Sequence, residues 1–192
     1  MRQTDLFPKS LPRGLEYREN FLSAEAEAEL LAAIARLSLT QAQYKEFTAK
    51  RRTLSYGSTY DFSTNTSLPA EPIAPFLEPL RREAANFAGV DPSAFAHALI
   101  SEYRPGTPLG WHRDAPQFEH IVGVSLQGVC RMRFRPYPWT SDRQAEVFAL
   151  DLQPRSAYIL RDDARWRWQH SIAATTEHRY SITFRTLRGR AR

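Results

Sequence analysis

Tyr103-Arg-Pro-Gly-Thr-Pro-Leu-Gly-Trp-His112-Arg-Asp114 holds the residues from which the rest of the chain is best understood. His112 and Asp114 stand two positions apart on an extended segment, so their side chains project from one face. A second imidazole from elsewhere would complete a set of two histidines and one carboxylate. That set occupies one face of an octahedral Fe(II) and leaves the other positions open. His170, in a Trp-Gln-His-Ser run, is the candidate. Arg179-Tyr-Ser-Ile-Thr-Phe-Arg185 strengthens the pattern, because its arginines are six apart on a β-type run. An even spacing aims both guanidiniums to one side of a sheet, as a dicarboxylate co-substrate requires.

Leu99-Ile-Ser-Glu-Tyr-Arg-Pro-Gly106 before the His-Arg-Asp, and the Arg179–Arg185 run near the C-terminus, resemble the AlkB-type 2-oxoglutarate and Fe(II)-dependent dioxygenases. Ile121-Val-Gly-Val-Ser-Leu126 and the aromatic just before the distal histidine are also similar to that family. The likeness is strongest over residues 95 to 188, with the separated motifs in the family's order. It implies a double-stranded β-helix (jelly roll) with Fe(II) held by His112, Asp114 and His170. Zinc or another divalent metal suits the same donors, since intrinsic affinity does not select iron. By the same resemblance Arg179 pairs with the distal carboxylate of 2-oxoglutarate, helped by the Tyr103 hydroxyl. Arg185 lies near the keto-acid end, and O2 takes a remaining metal position.

Ser101 and Ser181 stand where the family typically carries asparagine, so part of the co-substrate hydrogen-bond shell is altered. A serine still donates, at shorter reach. The implied reaction is oxidative demethylation of an N-alkylated base in DNA, flipped into the site, yielding succinate, carbon dioxide and formaldehyde. Bacterial repair members often carry an acidic residue two positions beyond the metal aspartate, where Pro116 stands here. A proline side chain neither accepts a hydrogen bond nor holds a cationic base by charge, so base identity stays open. The alternatives are the same chemistry on RNA, protein or a small molecule, or a nucleic-acid-binding module with an idle metal site.

At 192 residues the chain suits one domain with a sizeable core. A net charge of +5 and a pI near 9.6 favour a polyanionic partner. A single cysteine, Cys130, excludes an internal disulfide and a cysteine-rich zinc site, and fits a reducing compartment. No run approaches the ~18 apolar residues of a membrane span, and the N-terminus lacks a signal pattern. The expectation is a cytoplasmic monomer without a membrane partner.

Residues 1–14 read as an extended arm, and 15–192 as one α+β catalytic domain. Within it, 15–95 form a helical buttress and lid, and 96–188 the dioxygenase core. Ser23 opens a helix with Glu25, Glu27 and Glu29 early, Arg36 near its end, and Leu30, Ile34 and Leu37 on one face. Across 40–62, β-prone pieces broken by Gly57 suggest a hairpin or lid bearing Lys50, Arg51, Arg52, Tyr56 and Tyr60. In the family this region resembles the nucleotide-recognition lid, and basic residues beside aromatics suit phosphate contact with base stacking.

A second helix runs from Phe76 to Phe87, limited by Pro79 and stopped by Gly89, with a short turn at Asp91-Pro92. Strands follow near 97–103, 109–113, 119–126, 130–136, 145–152, 156–160, 166–172 and 179–187. Trp111 and Tyr56 are the candidates for stacking on an extruded base, beside Arg51, Arg52 and Tyr60 as further substrate contacts. Arg131, Arg133 and Arg135 alternate with the core positions Met132 and Phe134, as a phosphate-tracking stripe or as the wet face of a sheet. The tail Arg188-Gly-Arg-Ala-Arg192 adds non-specific electrostatic affinity. His120 with Asp162 and Asp163 is a rival metal set of low rank, since no motif brings them together.

Overall fold

From Phe95 onward the side chains alternate at the period of a β-strand, and the chain folds these strands into two facing sheets. The computed structural model describes residues 11–44, 47–57, 59–61, 66–68, 71–142 and 147–189, with backbone only at 42–44, 47–48, 59–61 and 66–68. Most of the expected arm and the end of the arginine tail lie outside those residues.

Strand β1 (Leu15–Arg18) and helix α1 (Ala24–Ile34) come first, then β2 (Thr40–Tyr44), β3 (Phe47–Gly57), β4 (Thr59–Asp61) and β5 (Thr66–Leu68). Helix α2 (Glu78–Ala88) leads to β6 (Phe95–Tyr103), β7 (Leu109–His112), β8 (Phe118–Leu126), β9 (Cys130–Pro136), β10 (Phe148–Leu152) and β11 (Ala157–Leu160). Helix α3 (Asp162–Trp166) separates β11 from β12 (Trp168–Ile172), and β13 (Arg179–Leu187) completes the roll. Among the described residues, one sheet has seven strands in the order β1-β11-β8-β13-β6-β3-β2, and the facing sheet four, β10-β9-β12-β7. Neighbouring strands pair antiparallel. This is the expected double-stranded β-helix with its helices outside.

The two faces of the large sheet meet different surroundings. Ile100, Val122, Val124, Ile182 and Phe184 pack outward against Leu30 and Ile34 of α1 and Leu80, Ala84 and Ala85 of α2. At about 25 cal/mol per Å² of apolar surface removed from water, this layer is what makes the helices a buttress. Between the sheets, Tyr103, Ile121 and Leu160 meet Met132, Phe134, Leu150 and Ile172. The inward-facing positions Arg179, Ser181, Thr183 and Arg185 of β13 leave this interior polar toward one side.

Local chemistry explains the helix limits. The Ser23 hydroxyl accepts from the Ala26 amide at 3.1 Å, capping α1. Pro79 sits in the first turn of α2, where its missing N–H is harmless, and Gly89 ends the helix at φ +67°. Arg36 falls beyond the last turn of α1, which carries no basic residue.

One expectation is corrected. Residue 166 ends a short helix instead of beginning a strand, because the acidic pair Asp162-Asp163 suits a helix N-terminus. Lys50, Arg51 and Arg52 lie on a hairpin formed by β2 and β3. Its second strand, eleven residues long, also pairs with β6 from Arg52 to Gly57, which joins the hairpin to the large sheet. Gly57 closes that strand at φ +81°, where a Cβ would meet the Ala96 carbonyl oxygen at 2.0 Å.

Candidate metal centre and co-substrate pocket

Antiparallel pairing of β12 with β7 places His170 directly across from His112. Asp114 follows two residues after the end of β7, and one ligand atom from each of the three lies within 4.8 Å of the others. The imidazole centroids are 4.3 Å apart, and Asp114 Oδ2 is 3.5 Å from His170 Nε2. Among the described residues this is the one such cluster. The rival set does not form: Asp163 pairs with Arg13 and Arg167, and the His120 amide donates to Thr186 Oγ1.

The protonation states suit metal binding. Burial drives the His112 imidazole below its usual range and that of His170 down to about 3, so both offer a lone pair at neutral pH. His112 Nδ1 is 2.9 Å from the Gly110 carbonyl, which only accepts. The proton therefore sits on Nδ1 and Nε2 is free as a ligand. Burial, the largest single influence, would raise the Asp114 carboxyl, but Arg185, His170, His112 and Arg165 together outweigh it, Arg185 foremost, and hold the group ionised. Arg185 donates to Asp114 Oδ1 from Nε at 2.9 Å and from Nη2 at 2.8 Å.

Two positioning groups carry no signal in the sequence motifs. Arg165 of α3 is 2% exposed, and its guanidinium donates to the carbonyls of Asp114, Ala115 and Phe118 at 2.7–3.2 Å. It ties down the loop that carries the metal aspartate. His97 of β6 has its Nδ1 3.2 Å from Arg185 Nη1. Burial, then the charge of Arg185, brings its pKa down to about 3, leaving a neutral acceptor that orients the arginine.

A narrow cavity of about 40 Å³ adjoins the triad. Ser101, Tyr103, Arg179 and Ser181 line it, so the residues expected to receive 2-oxoglutarate are brought together. Arg179 lies opposite Tyr103 in the sheet, its guanidinium 5.0 Å from the ring centre. Its Nε donates to Ser125 Oγ at 2.9 Å, while Nη1, out of water, has no partner among the described residues. A buried guanidinium with an unused donor calls for a carboxylate. The residues present therefore fit a dicarboxylate at this end and a divalent metal at the other. Tyr158 also lines the cavity, and burial raises its hydroxyl so that it remains a donor. The ring lies against Gly123 on the neighbouring strand, where a Cβ would come within 2.2 Å of it.

On the other side of Arg185 and Asp114 opens a larger cavity of about 610 Å³. Arg51 borders it, as expected of a substrate contact. Three other expected contacts are corrected. Arg52, next to Arg51 on a strand, points to the opposite face and forms an ion pair with the buried Glu102. Tyr56 shares that face and packs on the core beneath the helices. Trp111, adjacent to His112, faces outward under Arg133 and Arg135, whose guanidinium carbons lie 5.2 and 4.5 Å from its ring centre. Tyr60 is on β4, and its side chain lies outside the described residues.

Met132 and Phe134 are buried as expected, while the arginines between them take local partners. Arg131 forks onto Asp151 at 2.8 and 2.9 Å, Arg133 bonds Ser171, and Arg135 bonds Gln169. No helix among the described residues is long and apolar enough to cross a membrane.

Comparison with known proteins bears on this arrangement. The family model for the 2OG-Fe(II) oxygenase superfamily matches residues 14–185. An Arabidopsis thaliana protein named alkylated DNA repair protein ALKBH8 homolog is 29% identical over 180 residues, 83% of this chain and 50% of its own length. Uncharacterized protein L905 of Acanthamoeba polyphaga mimivirus is 33% identical over 105 residues, 46% of this chain and 47% of that one. The chain thus spans about half the length of the curated relatives it matches. The solved structure of OsALKBH1 shares the fold, with a TM-score of 0.73 at 14% identity over 93% of this chain and 100% of that one. With the family model running from Gly14 to Arg185 across His112, Asp114 and His170, the chain belongs to the 2OG-Fe(II) oxygenase superfamily.

Proposed function

We propose that this dioxygenase removes alkyl groups oxidatively from N-alkylated bases in nucleic acid, with DNA as the first substrate to try. The observation that carries this reading is the arginine-bordered cavity of about 610 Å³ beside the open side of the triad. It is roomy enough for an extruded base, and its charge suits a phosphate backbone at the mouth. The name of the Arabidopsis relative, an alkylated DNA repair protein homolog, supports the same reading.

When bound, Fe(II), 2-oxoglutarate and O2 supply the oxidising chemistry, with succinate and carbon dioxide as by-products. The chain supplies the holding and the exclusion of water. His112 and His170 present neutral nitrogens, and Asp114 a carboxylate kept ionised by its neighbours, Arg185 foremost. Arg179 and Tyr103, which line the narrow cavity, would take the far carboxylate of the co-substrate. Arg165 keeps the Asp114 loop from shifting, since an ångström of misplacement is costly in a positioned reaction.

The test is loading with Fe(II) and 2-oxoglutarate without oxygen, then exposure to oxygen with methylated single-stranded oligonucleotides, following succinate and base mass together. Succinate coupled to loss of methyl mass is the expected result. His112→Ala and Asp114→Ala should each abolish both signals while circular dichroism stays native. Activity retained in both variants would remove the metal assignment. Succinate without any change in the nucleic acid would remove the substrate assignment.

A further inference from the structure

Among its described lining residues the larger cavity carries an excess of positive charge. Arg51, Arg113, Arg165 and Arg185 all border it, and among the described lining residues Asp114 is the only carboxylate. That carboxylate is already engaged by Arg185. Arg165 spends its donors on backbone carbonyls, and Arg113 bonds the Trp166 carbonyl while lying 3.7 Å over the Tyr137 ring. In these contacts carbonyl dipoles and a ring face take the place of an anion. A ligand with a fixed positive charge would enter against this field, and removal from water strengthens the repulsion.

Gln117, on the same wall, supplies polarity without charge. Its side-chain oxygen and nitrogen are both out of water and without a partner among the described residues. Its backbone is fixed, because its carbonyl accepts the Arg188 amide at 2.7 Å. A primary amide offers one acceptor and a pair of donors, and its N–H donors suit the ring carbonyl that guanine and thymine carry beside the methylated nitrogen and that adenine lacks. Leaving such an amide buried and unpaired is costly, and a ligand edge would satisfy it.

We infer that the cavity admits bases that stay uncharged when alkylated and rejects cationic ones, with Gln117 reading the edge of the accepted base. The chemistry separates the two classes. Methylation of adenine at N1 or cytosine at N3 uses a ring lone pair and leaves a cation at neutral pH. Methylation of guanine at N1 or thymine at N3 replaces an N–H proton and leaves a neutral ring. This inference rests on the nucleic-acid demethylase reading and names its substrate class.

The experiment uses the full chain loaded with Fe(II) and 2-oxoglutarate, and single-stranded oligonucleotides identical but for one of those four methylated bases. Wild-type kcat/KM should favour the neutral bases by about tenfold or more. Gln117→Glu puts an anion on the wall and should move the ratio toward the cationic bases by about tenfold, with KM for 2-oxoglutarate unchanged. A wild-type preference for the cationic bases would overturn the inference while leaving the demethylase reading intact. So would a ratio that Gln117→Glu does not move. Succinate formation with no methyl loss from any of the oligonucleotides would instead overturn the demethylase reading, and this inference with it.

Discussion

Arg51 and Arg52 are neighbours of identical chemistry with different tasks, because adjacent residues of a strand face opposite ways. Arg51 borders the larger cavity, whereas Arg52 neutralises Glu102, a carboxylate 2% exposed on β6. Arg51→Ala is expected to weaken oligonucleotide binding and lower its salt slope by about 1, leaving stability unchanged. Arg52→Ala should leave the slope alone and cost about 1–2 kcal/mol of stability, since His178 and Arg104 still face Glu102. Binding titrations at several salt concentrations, with urea unfolding of each variant, separate the two. Equal salt slopes for the variants would contradict the facing of β3. In the sequence the two arginines look alike, as members of one basic cluster beside a tyrosine.

At the scale of elements, the β3–β6–β13 seam is pinned by a polar cluster on its outer face. Glu102 of β6 meets Arg52 of β3, His178 just before β13, and Tyr180 on β13. The hydrogen bond from Arg52 leads, helped by that from His178, and brings the Glu102 carboxyl down to about 2 from an ordinary 4.5. A carboxyl whose pKa is lowered by folding contributes stability that is fully present above pH 4.5 and is lost as pH falls toward 2. Glu102→Gln should therefore lower stability at neutral pH and flatten its decline across that acidic window. Urea midpoints of wild type and variant at closely spaced pH values provide the check, and parallel curves would deny Glu102 this role. The same seam fixes the register of Arg179 with Tyr103 and of Arg185 with His97, so outer-face pairing positions the inner-face site.

The whole molecule keeps an unfilled requirement in its interior: Arg179, 2% exposed, with a guanidinium nitrogen that no described residue satisfies. A ligand that supplies the missing carboxylate should stabilise the entire fold, by about 2.7 kcal/mol at a hundredfold excess over its Kd. Thermal unfolding with Mn(II) and 2-oxoglutarate should show an upward shift in wild type and none in Arg179→Met, whose unliganded form should be no less stable. A full shift in the variant would place the dicarboxylate elsewhere. Local order along the chain by itself determined much of this molecule. Strand period, helix caps and the even spacings of His112 with Asp114 and Arg179 with Arg185 are properties of neighbouring residues, and they carried over into the roll. Tertiary structure alone decided which face of β3 meets the cavity, that Trp111 lies outside under arginines, and that Arg165, Tyr158 and Gln117 border the two cavities. Those outcomes depend on which strands become neighbours and which side the helices cover. They arise from contacts between residues tens of positions apart, which spacing along the chain does not encode.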